Sequence, residues 1–293
     1  MPYAPDTSLD ALLLPAVMLL GGRRIAALTG AGLSTASGIP DYRGPGSNRN
    51  ARPPMRIHML LDDDEGYRRY WARSHQGWPT MRAAQPNVAH HALAQWEQRS
   101  TGSQLVGVVT QNVDRLHDKA GTRRRVELHG ALAEVVCVDC GAHEPRDDVQ
   151  QRMHQHNPMW RQADADLAHE VRPDGDVNVD EGHVRRFVPP HCMRCDGRLK
   201  PNVVFFGEHV ERHKHGDAEG IVDDADALVV VGSTLAIPSA SRLVRRMHNK
   251  GAPVVLVNLG PTLLTPAQQR DWVTLHLDAS CTDVLPALVD ALR

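Results

Sequence analysis

The sequence is short of cysteine, of net charge and of long apolar runs. It has five cysteines in 293 residues. Four of them form two C-x-x-C pairs, which excludes a disulfide framework and points to a reducing compartment. A formal net charge of −2 gives no reason to expect nucleic acid or a membrane surface as partner. Residues 11–20 are apolar, but no basic residue precedes them, Pro15 interrupts them, and a bilayer needs about 20. Leu9, Leu12, Leu13, Val17 and Leu20 recur there at helical spacing, so a core-facing helix is expected. With no export signal, the expected location is the cytoplasm. A full dinucleotide fingerprint is missing too. Gly30-Ala31-Gly32 supplies G-x-G, but Thr35 stands where the third glycine belongs and Asp41 comes too early to bind a ribose. That counts against a dehydrogenase.

What is present describes an ordinary globular chain, 41% hydrophobic and 23% charged, long enough for a large domain and a smaller one. Residues 25–28, 105–109, 126–128, 203–206, 227–231 and 253–257 read as short buried strands. Helical stretches lie between them, among them 67–71 and 88–98, the latter with Leu93 and Trp96 on its buried face. This alternation predicts an α/β fold with a parallel sheet covered on both faces. Residues 44–54 lack periodicity and read as a loop.

Polar and glycine residues gather where these strands end, which is where open α/β sheets bind ligands. The stretch TGAGLSTASGIPDYR, residues 29–43, follows the first strand. Its glycines and small hydroxyl residues let backbone N–H groups approach a phosphate, and a helix N-terminus is expected to follow. Gln111, Asn112 and Asp114 follow the second strand, where a helix cap would explain one of the three but not all. His129, before Gly130, follows the third, and its pKa range suits a proton acceptor, although structural histidines are common. Gly232-Ser233-Thr234 and Asn258-Leu259-Gly260 follow two more, as site residues or as plain turns. The segment Lys200 to Glu208 offers a strand edge that an extended peptide could extend, or is an ordinary core strand.

Cys137-x-x-Cys140 and Cys192-x-x-Cys195 supply four thiolates, enough to close a tetrahedron around one Zn²⁺ with no position left for chemistry. Gly141 and Gly197 follow the pairs as knuckle turns require, and His191 is a rival ligand. Asp139, Glu144, Asp147, Asp148, Asp174, Asp176, Asp180 and Glu181 make this region acidic, which disfavours a zinc-ribbon nucleic-acid binder. Cys281 reads as a small buried residue before the last helix.

Taken together, the motifs from Ile25 to Cys281 resemble those of the sirtuins, the NAD-dependent protein deacylases. Residues 110–117 nearly match the family's T-Q-N-x-D-x-L-H. Tyr70-Trp71-Ala72-Arg73, Gly77-Trp78-Pro79, Pro173-Asp174-Gly175-Asp176-Val177 and Asn258-Leu259-Gly260-Pro261-Thr262 look most like the class II branch, the mitochondrial sirtuin 4 type and its bacterial relatives. The resemblance implies a Rossmann-like NAD-binding domain (1–43, 86–134 and 200–293), a loop and helical insert (44–85) and a zinc-binding module (135–199). It implies NAD⁺ as co-substrate, one structural Zn²⁺, and acyl-lysine proteins or peptides as partners; no nucleic acid and no membrane are expected, and the oligomeric state is left open with a monomer slightly favoured.

Carried over residue by residue, it puts NAD⁺ on Gly30, Ala31, Gly32, Ser34, Thr35, Pro40, Asp41, Tyr42, Arg43, Gln111, Gly232, Ser233, Thr234, Asn258, Leu259, Gly260 and Cys281. Asn112 and Asp114 would hold the nicotinamide end, and His129 would be the general base. Val203, Val204, Phe205, Phe206 and Gly207 would pair with the acyl-lysine. The acyl oxygen would attack the ribose carbon as nicotinamide leaves, and the acyl group would end on ADP-ribose. Mono-ADP-ribosyl transfer is the competing activity. A preference for longer or acidic acyl groups (lipoyl, glutaryl, succinyl) is the other alternative. Tyr70-x-x-Arg73 echoes a pair that grips acidic acyl groups in another branch, but an exposed arginine on a helix surface is the expectation favoured here.

Overall fold

Valine-rich runs with few polar interruptions make strands that are stable only when helices cover both faces, each fully buried side chain contributing about 1.5–3 kcal/mol. The computed structural model describes residues 9–43, 55–160, 171–179 and 181–293, so the loop expected at 44–54 lies outside the described residues. Its strands are β1 (Arg24–Thr29), β2 (Gln104–Thr110), β3 (Arg125–Glu127), β4 (Gly130–Cys137), β5 (His143–Pro145), β6 (Leu199–Val203), β7 (Ala227–Val231), β8 (Val254–Val257) and β9 (Leu275–Leu277).

Six of them form one sheet in the order β3-β2-β1-β7-β8-β9, parallel throughout. Successive side chains of β1 enter opposite cores, as the pleat requires. Ile25 and Ala27 pack with helices Leu9–Leu20, Val88–Glu97 and Cys281–Ala291. Ala26 and Leu28 pack with helices Arg212–Asp223 and Pro238–Asn249. The chain builds outward from β1 to β3 and later returns to build from β7 to β9. The order therefore reverses between β1 and β7, and their carboxyl ends diverge into a crevice.

The remaining strands form an antiparallel sheet, β5-β4-β6. Helices Asp64–Ala83 and Arg146–His156 pack on it through Tyr67, Trp71, Val149 and Met153. The first of these helices starts where the Asp63 carboxylate accepts the Glu65 and Gly66 N–H groups, and it runs on through Pro79.

Two expectations need correcting. The first helix buries Leu13, Ala16 and Leu20, whereas Leu9 and Leu12 stay 40% exposed. The buried stripe is thus narrower than the leucine spacing suggested. The strand expected at 203–206 is instead β6, in the antiparallel sheet. Its ladder ends at Val203, and beyond it Glu208 accepts the Phe205 N–H at 2.8 Å. Strand β9 was not foreseen, being only three residues long.

Candidate active site

The site is built where β1 and β7 part. Beyond β1 the chain makes two three-residue 3-10 turns, Ala31–Leu33 and Thr35–Ser37, in place of the expected helix N-terminus. The Gly30 N–H donates to the Val231 carbonyl (3.0 Å) and the Gly32 N–H to the Gly232 carbonyl (2.9 Å). A Cβ on Gly232 would stand 2.3 Å from the Leu33 nitrogen, and its φ is +61°. Glycine is therefore required there for two loops to cross in backbone contact.

The end of β2 ties this crossing together. The Asn112 side-chain amide donates to the Gly30 carbonyl and to Ser34 Oγ, both at 3.0 Å. Ser34 Oγ donates to Asp114 Oδ2 at 2.7 Å, and the Leu116 N–H donates to Asp114 Oδ1 at 2.9 Å. Gln111 Nε2 reaches Ser233 Oγ, 2.8 Å away on the β7 side. Burial raises the Asp114 pKa, although these hydrogen bonds oppose the shift.

His129 lies between β3 and β4. Its Nδ1 is 3.0 Å from the Gln111 carbonyl, which can only accept, so that nitrogen carries the proton. Its Nε2 then has a lone pair, which faces the Ser239 hydroxyl at 3.0 Å. Burial lowers the His129 pKa below the ordinary value, so the ring is neutral near pH 7. This is a held and unprotonated base. Pro238-Ser239, a proline opening a helix soon after Gly232-Ser233-Thr234, was the overlooked signal for its partner.

One cavity of about 860 Å³ is lined by every residue expected at the NAD⁺ and acyl-lysine sites except Gly260. Gly260 forms a turn: its φ is +83° and its N–H donates to Asp278 Oδ1 at 2.7 Å. Asn258 lines the cavity, yet its amide is turned onto the Leu259 and Gly260 carbonyls. The Cys281 thiol is buried and its pKa is pushed up to about 11, which makes it a poor nucleophile. Past Val203, the Phe206 carbonyl accepts the Ile57 N–H at 3.0 Å, so part of the expected open edge is already paired. Ile39, Leu132, Pro173 and Asp174 also line the cavity; Ile39, Pro173 and Asp174 lie in motifs the sequence marks without a role in the site, and nothing in its local sequence marks Leu132.

Arg73 departs from expectation. It is 6% exposed, its Nε donates to the Val177 carbonyl at 3.0 Å, and its Nη1 lies 3.2 Å from Asp176 Oδ2. Tyr70 lines the cavity and Arg73 does not.

The four cysteines converge as expected. Their sulfur atoms all lie within 4.8 Å of one another, with Cys137 to Cys195 at 3.5 Å and Cys140 to Cys192 at 3.7 Å. A tetrahedron with zinc–sulfur bonds of about 2.3 Å has edges of about 3.8 Å, so the set fits Zn²⁺. Gly141 makes the first knuckle turn (φ +68°), whereas Asp196 (φ +59°) makes the second. Gly197 serves close packing: a Cβ there would meet Asp139 Oδ2 at 2.1 Å. His191 is not a rival ligand here: among the described residues the converging ligand atoms are those of the four cysteines alone, and the His191 Nδ1 lies 3.2 Å from the Asp196 carbonyl. None of the four cysteines lines the cavity, which makes the metal structural.

The Sir2 family model matches residues 30–239, more than half of the chain. The chain is a sirtuin. This sirtuin is 42% identical to the mitochondrial NAD-dependent protein lipoamidase sirtuin-4 of Bos taurus, over 91% of its own length and 82% of the relative's. It is also 42% identical to an NAD-dependent protein deacetylase of Bordetella bronchiseptica, over 92% and 94% of the two chains. A solved Sir2–p53 peptide–NAD⁺ complex is 29% identical, with a TM-score of 0.68 and 98% of each chain covered. The structure of Sir2Tm bound to a propionylated peptide is 27% identical, with a TM-score of 0.69, covering 95% of this sirtuin and 97% of that chain.

Proposed function

We propose that this sirtuin is an NAD⁺-dependent protein lysine deacylase, releasing nicotinamide, free lysine and O-acyl-ADP-ribose. The observation that carries the proposal is the placement of the unprotonated His129 Nε2. It lines the same cavity as the Gly30–Ser34 turn and the Val203–Gly207 segment. NAD⁺ supplies an electrophilic ribose carbon with nicotinamide as leaving group. In this reading the glycine crossing binds the pyrophosphate, Asn112 and Asp114 orient the nicotinamide end, and Val203–Gly207 aligns the acyl-lysine. His129 removes the proton from a ribose hydroxyl, a role that calls for a neutral ring. The division into 1–43, 86–134 and 200–293 with insert 44–85 and module 135–199 belongs to the same proposal.

Replacing His129 with Ala tests it. General-base loss typically lowers turnover by about 10²–10⁴-fold, while NAD⁺ binding stays within a few-fold. Turnover equal to that of the parent would reject the assignment. In the parent the acid limb of the rate profile lies below the ordinary histidine value, because the base works only above its depressed pKa. No helix among the described residues is long and apolar enough to cross a membrane. We further propose a cytoplasmic monomer that does not bind nucleic acid, to be checked by fractionation, sedimentation and mobility shift.

A further inference from the structure

The deacylase chemistry assigns no step to Ser239. Helix Pro238–Asn249 starts at the cavity, where Ile237, Pro238 and Ser239 line the wall. It follows β7 after a sharp turn at Leu235, which is buried and held at φ +57°, a conformation rare for leucine. The Leu235 N–H donates to Ser233 Oγ at 3.2 Å and helps to hold that turn. Ser239 is thereby presented to the cavity from a helix N-terminus. Three groups then stand in line. The Ser239 hydroxyl lies 3.0 Å from His129 Nε2, and His129 Nδ1 lies 3.0 Å from the Gln111 carbonyl. The carbonyl can only accept, so Nδ1 keeps the proton and the Nε2 lone pair faces the hydroxyl. An activated serine needs this order of nucleophile, base and orienting acceptor. Burial lowers the His129 pKa, which leaves the ring able to take a proton near neutral pH. The Ala240 and Ser241 N–H groups turn back to the Ile237 carbonyl, both at 3.1 Å. The Ser239 N–H is among the first donors, which a helix does not satisfy itself, and Ile237 supplies no side-chain cap. The helix start thus offers a donor and a positive dipole end to an oxyanion formed at Ser239.

We propose that Ser239 is a nucleophile, activated by His129, and that this sirtuin hydrolyses carboxylic esters without NAD⁺. Ser239 Oγ attacks the ester carbonyl carbon, and its proton passes to His129 Nε2. The bond to the alcohol oxygen then breaks, and His129 gives that proton to the leaving alcohol. Water attacks the acyl-Ser239 carbonyl and yields its proton to the same nitrogen. The acyl–serine bond breaks, His129 returns the proton to Ser239 Oγ, and the carboxylic acid leaves. The Gln111 carbonyl fixes the histidine tautomer as a carboxylate would, but it carries no full charge to steady the imidazolium. Turnover is therefore slow beside that of a serine–histidine–aspartate site. No step uses NAD⁺ or an acyl-lysine, so this activity stands or falls apart from the deacylase reading.

The test uses p-nitrophenyl acetate with no NAD⁺ present, and a fluorophosphonate that labels activated serines. The parent should release p-nitrophenol above the buffer rate, and mass spectrometry should find the phosphonate on Ser239. Ser239→Ala and His129→Ala should each lower ester turnover by at least about 100-fold or to the buffer rate, and His129→Ala should escape labelling. Labelling of the parent needs no variant, so it decides the matter even where a variant fails to fold. Hydrolysis at the buffer rate in the parent, equal turnover in Ser239→Ala, or phosphonate on another residue overturns the proposal. So does loss of turnover in Ser239→Ala with Ser239 unlabelled in the parent, since the hydroxyl would then only support the imidazole. Nicotinamide release from NAD⁺ and an acyl-lysine peptide, measured in parallel, reports on the deacylase reading alone.

Discussion

Strands β7 and β8 are buried at every position between two layers of helices, whereas no residue of β5 is fully buried. The centre of the parallel sheet is held by apolar contact, although its edge strand β3, like β5, has no fully buried residue. The antiparallel sheet depends on particular groups: four thiolates, and Arg146 between the Trp71 and Trp78 rings at 5.4 and 5.2 Å. The Tyr67 hydroxyl also bonds the Pro190 carbonyl at 2.6 Å. Each sheet nevertheless contributes to the cavity. The parallel sheet presents the glycine crossing at its strand ends. The antiparallel sheet starts β4 beside His129 and ends β6 at Val203, so the proposed base and the proposed acyl-lysine segment both hang on it. The proposed catalytic groups thus depend on the sheet that thiolates, a buried guanidinium and a tyrosine hydroxyl help to hold.

Metal removal should split the two sheets most sharply. Replacing Cys195 with Ser leaves three thiolates, and zinc content should fall well below one per chain. Metal binding of this kind is folding free energy for the elements it joins. Turnover should drop at least about 100-fold as β6 and β4 lose their register, with the larger part of the helical circular dichroism retained. Full activity in metal-free protein would break the comparison.

A pair of glycine substitutions sharpens it. Gly232→Ala puts a Cβ 2.3 Å from backbone at a left-handed φ, with no flexible neighbour to yield. It should cost at least about 2 kcal/mol and weaken NAD⁺ binding. Gly197→Ala meets the Asp139 side chain, whose Oδ2 must leave the Arg198 N–H to make room, so at least about 1 kcal/mol is expected and NAD⁺ binding should hold. Chemical denaturation and NAD⁺ titration of both variants measure the difference. Equal effects would mean that the two scaffolds are alike.

Much of this was legible in advance. Strand ends, C-x-x-C pairs and T-Q-N-x-D are local patterns, and local patterns survive without coordinates. What escaped was long-range. Arg73 looked exposed because its partner Asp176 lies a hundred residues later in sequence. Ser239 drew no notice in the sequence, and only the fold sets it opposite His129. The antiparallel pairing of β6 could not be told from parallel pairing, because an apolar run has the same appearance in either sheet. Gly197 looked like a turn residue, whereas its lack of a side chain matters because Asp139 comes close.

The smallest expected effect concerns acid stability, and it asks which region loosens first. His75, 2% exposed beneath the antiparallel sheet, has no hydrogen-bond partner for either ring nitrogen among the described residues. Trp160 and Phe187 pack edge-on against it, and it stacks on His154. Burial, then the Arg146 charge, then His154 lower its pKa from 6.5 to about 4. Its folded pKa thus lies below its unfolded one, so its contribution is fully present above pH 6.5. It is lost as pH falls toward 4, because the unfolded chain takes up the proton first. The loss should be about 1 kcal/mol at pH 5.5 and roughly 3 kcal/mol near pH 4. His90, on the parallel-sheet side, is lowered by burial to about 4 as well. Unlike His75, it accepts the Asn87 N–H in a helix capping box. His75→Phe should therefore flatten the pH dependence at little cost near pH 7. The same change at His90 should also remove a cap and lower stability at every pH. Denaturation midpoints between pH 5 and 7.5 separate the two cases. A His75→Phe variant that kept the parent's slope would show that the parallel sheet, and not the zinc-bearing side, governs the acid response.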